Sequence, residues 1–255
     1  MAARRTKRSG KQTIGSWSEL ACLAEEMAGQ DWIFRGEPSS RNPLRPSAGR
    51  LDREIISAGK TSLVESIERA ALDRFKADAV PYLDYRPPFS HDLEWLAIAQ
   101  HHGMQTRLLD WTESLLIAAF FAVDEGGCDG DALIYGVRGL PVAEPTADPF
   151  NMDEVCIYRP SKVTPRIGPQ WSLFTVHPNP AEDFRSYAQL RKWRIPGRKL
   201  CAHIKLVLDA CGINYASLYP DLTGLARHIY WRSRRNLEQV RNQRVPSAAP
   251  AGGGT

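Results

Sequence analysis

Residues 91–123 read HDLEWLAIAQHHGMQTRLLDWTESLLIAAFFAV. Two apolar segments flank a polar one, and how they pair decides the fold. Ser90 is placed to cap a helix from His91 to His102, with Asp92 and Glu94 near its positive end. Gly103 ends that helix, and a short linker from Met104 to Trp111 follows. Thr112 is placed to cap the next helix, Glu113 to about Val123. There Leu115, Leu116, Ala118, Ala119, Phe120 and Ala122 leave almost no polar face, so burial is expected.

Upstream, Trp17, Leu20, Leu23, Ala24 and Met27 fall on one face of a helix over Ser16–Ala28, capped by Ser16 or Ser18. Asp31 to Gly36 reads as a strand, Pro38 to Pro46 as a loop, and Thr61 to Leu83 as a helix opened by a Ser62/Glu65 capping box. Past the Gly126-Gly127 turn the pattern changes to short strands at Ala132–Val137, Val155–Tyr158, Leu173–His177 and Leu190–Ile195. Helices return over Gly197–Ala210 and from Asp221 to about Arg235. The order predicts an α+β single domain, with helices mainly in the first half packed on a small, mainly antiparallel sheet.

At 255 residues, 43 % hydrophobic and 24 % charged, the chain has the make-up of one globular core. Residues 1–14 are expected to form a disordered basic tail, 15–236 the folded domain, and 237–255 a second disordered tail. The net charge of +4 is unevenly spread. Met1–Lys11 and Arg227–Arg244 each carry +5, which leaves −6 on the rest and argues against a basic groove through the domain. The arginine-rich end remains a candidate for nucleic-acid binding. Five scattered cysteines without a CxxC read as reduced core thiols. With no apolar run long enough to span a bilayer and no secretory signal, a cytoplasmic protein without membrane partners is expected.

Between Gln100 and Thr112 lie an amide, two imidazoles, a guanidinium, a carboxylate, an indole and two threonine hydroxyls. Polar groups between apolar helices are costly to bury unless paired. Asp110 and Thr112 could serve as caps and Arg107 could pair with Asp110, but a solvated turn would not need Gln100, His101, His102 and Trp111 as well. Arg35 ends a hydrophobic strand beside Gly36, which admits close approach of other backbone. Such an arginine can hold a phosphate or carboxylate in a two-pronged hydrogen bond, or pair with Glu37 or Asp110. A third segment, Gln170 to His177, alternates Leu173 and Thr175 with Phe174 and Val176. No GxSxG, GxxxxGK[ST], strand-following GxGxxG or HExxH occurs, and adjacent His101 and His102 point apart, so no metal is expected.

Phe34-Arg35-Gly36, Gln100-His101-His102-Gly103, and Thr106-Arg107-Leu108-Leu109-Asp110-Trp111-Thr112 with Leu115 and Ala118–Ala122 together resemble the FRG domain of bacterial and phage proteins. Gln170, Phe174 to His177, Gly212-Ile213 and Tyr219 to Leu225 also fit, so the resemblance covers Ile14 to Ile229. Gln105 stands where the family usually has proline, and Trp171-Ser172 where many relatives have a glycine-containing pair. The resemblance implies a polar pocket around Arg35 and Gln100–Thr112, in toxin or anti-phage settings. The layout is also similar to ADP-ribosyltransferases, with NAD as substrate. On that likeness Arg35 grips the phosphates, Thr106 or Thr112 orients the ribose, and Phe120 or Phe121 offers the ring, with Gly36 and Trp111 also in the implied cofactor-binding set. Gln100, His101, Arg107, Asp110 and Gln170 complete the implied catalytic set. Those enzymes typically use a glutamate where this chain has Gln170; Glu37, Glu94 or Asp110 could substitute. The competing expectation is a non-catalytic module that binds a nucleotide or a partner.

Overall fold

The computed structural model describes residues 12–39, 43–50, 61–124, 130–161, 167–187 and 189–243. Six strands form one sheet: β1 (Ile33–Glu37), β2 (Leu108–Thr112), β3 (Ala132–Val137), β4 (Cys156–Tyr158), β5 (Ser172–Val176) and β6 (Arg191–Ile195). Their spatial order is β4-β5-β2-β1-β3-β6, and every pairing is antiparallel. Among the described residues four α-helices precede the β3 strand: α1 (Trp17–Met27), α2 (Thr61–Ala79), α3 (Asp92–His101) and α4 (Leu115–Ala122). Four follow it: the single turn α5 (Ile167–Gln170), α6 (Arg198–Ala210), the single turn α7 (Tyr215–Leu218) and α8 (Leu222–Gln243). The fold is thus a single α+β domain, as the order of patterns predicts.

Side-chain alternation along the strands splits the core into two layers. On one face Phe34, Ile134, Trp193 and Ile195 meet α4, α6, α7 and α8, while Leu108, Phe174, Val176 and Tyr158 meet α2 and α3. On the other face Ile33, Leu109, Trp111, Tyr135 and Leu173 are roofed by loop residues Leu44, Leu140 and Phe184. Two glycines permit the closest approaches. A Cβ on Gly36 would lie 1.9 Å from the Ala118 carbonyl oxygen, so α4 can rest directly on β1. A Cβ on Gly49 would lie 1.7 Å from the Pro180 carbonyl oxygen, where the two roofing loops cross.

The quoted stretch differs from its expected reading in one decisive way. Met104–Trp111 is not simply a linker, because Leu108–Thr112 is a central strand between β5 and β1. Both faces of that strand are buried, so Leu-Leu-Asp-Trp shows no hydrophobic alternation. Thr112 therefore ends a strand, and Ser114 caps α4 by accepting from the Ile117 amide at 3.3 Å. Ser90 does not cap α3; His91 occupies that position without a side-chain bond. Ser62 lies inside α2, where its carbonyl accepts from the Ser66 hydroxyl, rather than in a capping box. Ser16 caps α1, accepting from the Glu19 amide at 3.2 Å. The last helix runs on to Gln243, and Thr13 bridges Arg194 with Ile14 buried beside it. The expectations for residues 1–11 and 244–255 fall outside the described residues. Of the cysteines, only Cys201 is buried; Cys22 and Cys211 are exposed, Cys156 is intermediate, and Cys128 lies outside the described residues. Among the described residues no helix is long and apolar enough to cross a membrane.

Candidate functional site

β1 and β2 pair at one register position, Phe34 with Thr112. Beyond it the backbone groups of the two strands need other partners. Arg35 supplies one: its Nη1 donates to the Asp110 carbonyl oxygen at 2.8 Å and lies 3.6 Å from the Asp110 carboxylate. Its Nε and Nη2 reach Glu37 Oε1 at 2.8 and 2.7 Å. Arg35 is therefore paired with both acids that its sequence setting offered, and its guanidinium pins this gap in the sheet.

Two more motif residues brace the same place. Gln100, on α3, donates to Asp110 Oδ1 at 2.9 Å and accepts from the Thr106 hydroxyl. Thr106 is fully buried; its oxygen also accepts from the Leu108 amide at 3.1 Å, and its own amide donates to Ser47 Oγ at 3.0 Å. The amide of Ala48 donates to the Thr106 carbonyl at 3.0 Å. The motif thereby fixes the loop 43–50 over the gap.

A cleft of about 260 Å³ opens there, lined by Arg35, Arg45, Arg50, Gln100, Met104 and Asp110 among others. Asp110 presents its carboxylate to solvent, its side chain 61 % exposed. Arg50 donates to the carbonyls of Arg45 (Nε 3.0 Å, Nη2 2.7 Å) and Pro43. Burial, followed by the like charges of Arg35 and Arg45, lowers its guanidinium below the ordinary value. Arg45 Nε is buried with no hydrogen-bond partner among the described residues. Among the described residues, three guanidiniums thus meet two carboxylates, those of Glu37 and Asp110.

The remaining implied residues are not part of this cleft. Arg107 is sealed in the core at 1 % exposure; its amide and Nε donate to Glu68 at 2.6 and 3.1 Å, and its guanidinium lies 4.1 Å over Phe150. Its partner is therefore Glu68 and not Asp110. Trp111 is a core residue that donates to Thr175 Oγ1 at 2.8 Å. Thr112 Oγ1 donates to the Gln170 carbonyl at 2.8 Å and accepts from Ser114. Gln170 turns away, its amide donating to the Leu218 carbonyl at 2.9 Å. Gly36 is filled by α4, leaving no room for a ligand. Phe120 and Phe121 pack on the helical face, with Phe120 edge-on to Tyr215 at 5.3 Å. His101 stacks edge-on against His102 outside the cleft lining. Glu94 is buried, accepting from the Tyr158 hydroxyl and the Ser161 amide. Trp171 has φ 48°, a conformation that glycine adopts at little cost.

Arg45 and Arg50 were not singled out from the sequence. They lie in an arginine- and proline-containing loop, RNPLRPSAGR over residues 41–50, whose basic residues were the available signal. A family model described as the FRG domain matches residues 30–128, which run from just before β1 to just past α4 and include Arg35, Arg45, Arg50 and the whole Gln100–Thr112 segment. No curated protein and no solved structure gave a match.

Proposed function

We propose that the cleft, which lies within the segment 30–128 that the FRG-domain model matches, binds a phosphate-bearing, nucleotide-type ligand. The observation that carries the proposal is the surplus of guanidinium in the cleft. Arg50 has carbonyl partners, and burial followed by the like charges of Arg35 and Arg45 lowers it. A phosphate in the cleft would offset that excess of positive charge. In this reading Arg45 and Arg50 grip the anion, while Arg35 holds Asp110 in place. Asp110 and Gln100 then offer an acceptor and an amide to ribose or base groups.

The volume of about 260 Å³ suits one phosphorylated nucleoside part better than a whole dinucleotide. A transferase reaction on NAD is the less favoured form of the proposal, since Gln170, Phe120 and Phe121 point elsewhere. Asp110 is the carboxylate placed for it. The family's toxin or anti-phage setting would make such binding part of an effector.

Calorimetric titration of the full-length protein with AMP, ADP and NAD tests the proposal. Arg50→Ala and Arg45→Ala should each weaken the best of these ligands about tenfold or more, with the fold intact. Absence of binding by all three, or affinity indifferent to both substitutions, would overturn it. Nicotinamide release from NAD by the wild type, lost in Asp110→Asn, would instead establish cleavage of NAD, and ADP-ribose recovered on a protein or nucleic-acid acceptor rather than free in water would establish the transferase form.

A further inference from the structure

The last helix has two apolar faces, and the core accounts for one. Gly224, His228, Trp231 and Arg235 form its inward stripe, with Gly224 so close that a Cβ would lie 2.0 Å from the Tyr219 carbonyl oxygen. Trp231 is buried there beside Lys205, whose Nζ lies 5.4 Å from the ring. On the outward side Leu222 is 83 % exposed, Leu225 45 %, Ile229 56 %, Tyr230 64 % and Leu237 70 %. At 100° per residue these five side chains fall within an arc of about 140°, opposite Trp231. Single exposed apolar residues are ordinary, but five on one helix face, with only Ser233 and Asn236 between the Tyr230 and Leu237 turns, mark a contact surface.

The charges beside the stripe say what kind of contact. Over Leu222–Gln243 the helix carries five arginines and one glutamate. Arg232 lies at one edge of the apolar arc, and Arg234 and Arg241 lie at the other, all three exposed. A second copy docked on this stripe would bring those arginines together along a shared seam, where like charges repel. A nucleic acid would take the arginines but leave the leucines and isoleucine in water. An anionic lipid surface accommodates both. The apolar stripe enters the boundary of head groups and acyl chains, and the flanking arginines reach the lipid phosphates.

We propose that α8 is a peripheral membrane-binding element that seats this protein on an anionic lipid surface. It lies in the interface plane and does not cross the bilayer. This inference is independent of the cleft, whose ligand could be wrong without affecting it.

Co-sedimentation of the full-length protein with phosphatidylcholine vesicles, with and without phosphatidylglycerol, provides the test. Binding is expected with phosphatidylglycerol and to be much weaker without it. Ile229→Ser combined with Leu237→Ser should lower the partition about tenfold, as should Arg232→Glu combined with Arg241→Glu. All four residues are exposed, so the circular dichroism and melting temperature should stay at wild-type values. Three results would overturn the proposal. One is no binding to phosphatidylglycerol vesicles at low salt. Another is binding lost on charge reversal but indifferent to the serine pair, which is the behaviour of a general polyanion site. The third is a dimer in sedimentation velocity that Ile229→Ser dissociates, which would put a second copy on the stripe.

Discussion

Arg35 and Arg107 both lie in the segment that the FRG-domain model matches, each pairs with a glutamate, and their surroundings give them opposite roles. Arg107 and Glu68 are each 1 % exposed at the side chain, and the guanidinium is completed by the carbonyls of Pro149 and Pro178 and the ring of Phe150. No part of that pair is open to a ligand. Arg35 is 18 % exposed, shares the edge of an open cleft with Arg45 and Arg50, and holds an acid, Asp110, that faces solvent. Composition is nearly the same in the two places. Burial decides which arginine organises the core and which organises a site.

Breaking the sealed pair should have the largest effect. Burial raises the Glu68 carboxyl above its ordinary value even against the attraction of Arg107, so the pair is held at a desolvation cost. Arg107→Met leaves that carboxyl without its main partner and should destabilise the fold by about 3–5 kcal/mol, read from urea denaturation. Adding Glu68→Leu should recover much of the loss, because a well-packed apolar pair avoids the desolvation. A neutral Arg107→Met would erase the contrast between the two arginines.

That contrast is also the limit of what the sequence made legible. Helix α6 followed from apolar periodicity, and α3, α4 and the β3 strand from apolar runs bounded by Gly103, Gly126 and Gly127. β2 did not: like β3 it lacks alternation, but no turn residue separates it from α4, and the charged Asp110, exposed where β1 and β2 separate, interrupts its apolar run. Arg35 was legible as an important residue with two open roles, and only the distances to Glu37 and Asp110 showed its fork to be engaged. Arg45 and Arg50 lie in a loop whose shape depends on long-range contacts: Thr106 with Ser47 and Ala48, the Phe184 amide with the Leu44 carbonyl, and Gly49 beneath Pro180. Such contacts leave no periodic trace. Gln170 drew attention as a residue, but its side chain is aimed by α7, a turn that comes much later in the chain.

An intermediate effect should come from His177, which senses both regions. It is 2 % exposed, bonded to Thr175 Oγ1 at 2.9 Å, and burial, then Arg107, then Arg35 push it down to about 3. A base whose folded value lies below its unfolded one binds fewer protons in the native state. The stability it secures is complete above about pH 6.5 and is lost as the pH falls from there toward about 3, by up to about 1.4 kcal/mol per pH unit. His177→Gln should flatten the stability profile over that window, measured by urea midpoints at a series of pH values. An unchanged slope would show that His177 protonates without opening the core, and that the two arginines are not electrically close to it.

The smallest stability effect should come from Asp110→Asn, and it sharpens the comparison from the open side. The Asp110 side chain is 61 % exposed, and the carboxylate lies 3.6 Å from Arg35, so solvent screens most of that attraction. The stronger contact, from Arg35 Nη1 to the Asp110 carbonyl oxygen at 2.8 Å, is to backbone and survives the substitution. The expected loss is under about 1 kcal/mol. Removing one of the cleft's two carboxylates also raises its net positive charge, so inorganic phosphate should bind more tightly to Asp110→Asn, while a ligand whose ribose donates to Asp110 should bind more weakly. The two responses have opposite signs. Titrating the variant with phosphate and with AMP therefore separates Asp110 as a charge that limits anion affinity from Asp110 as a group that touches the ligand, and a stability loss near that of Arg107→Met would show the cleft acid to be part of the core after all.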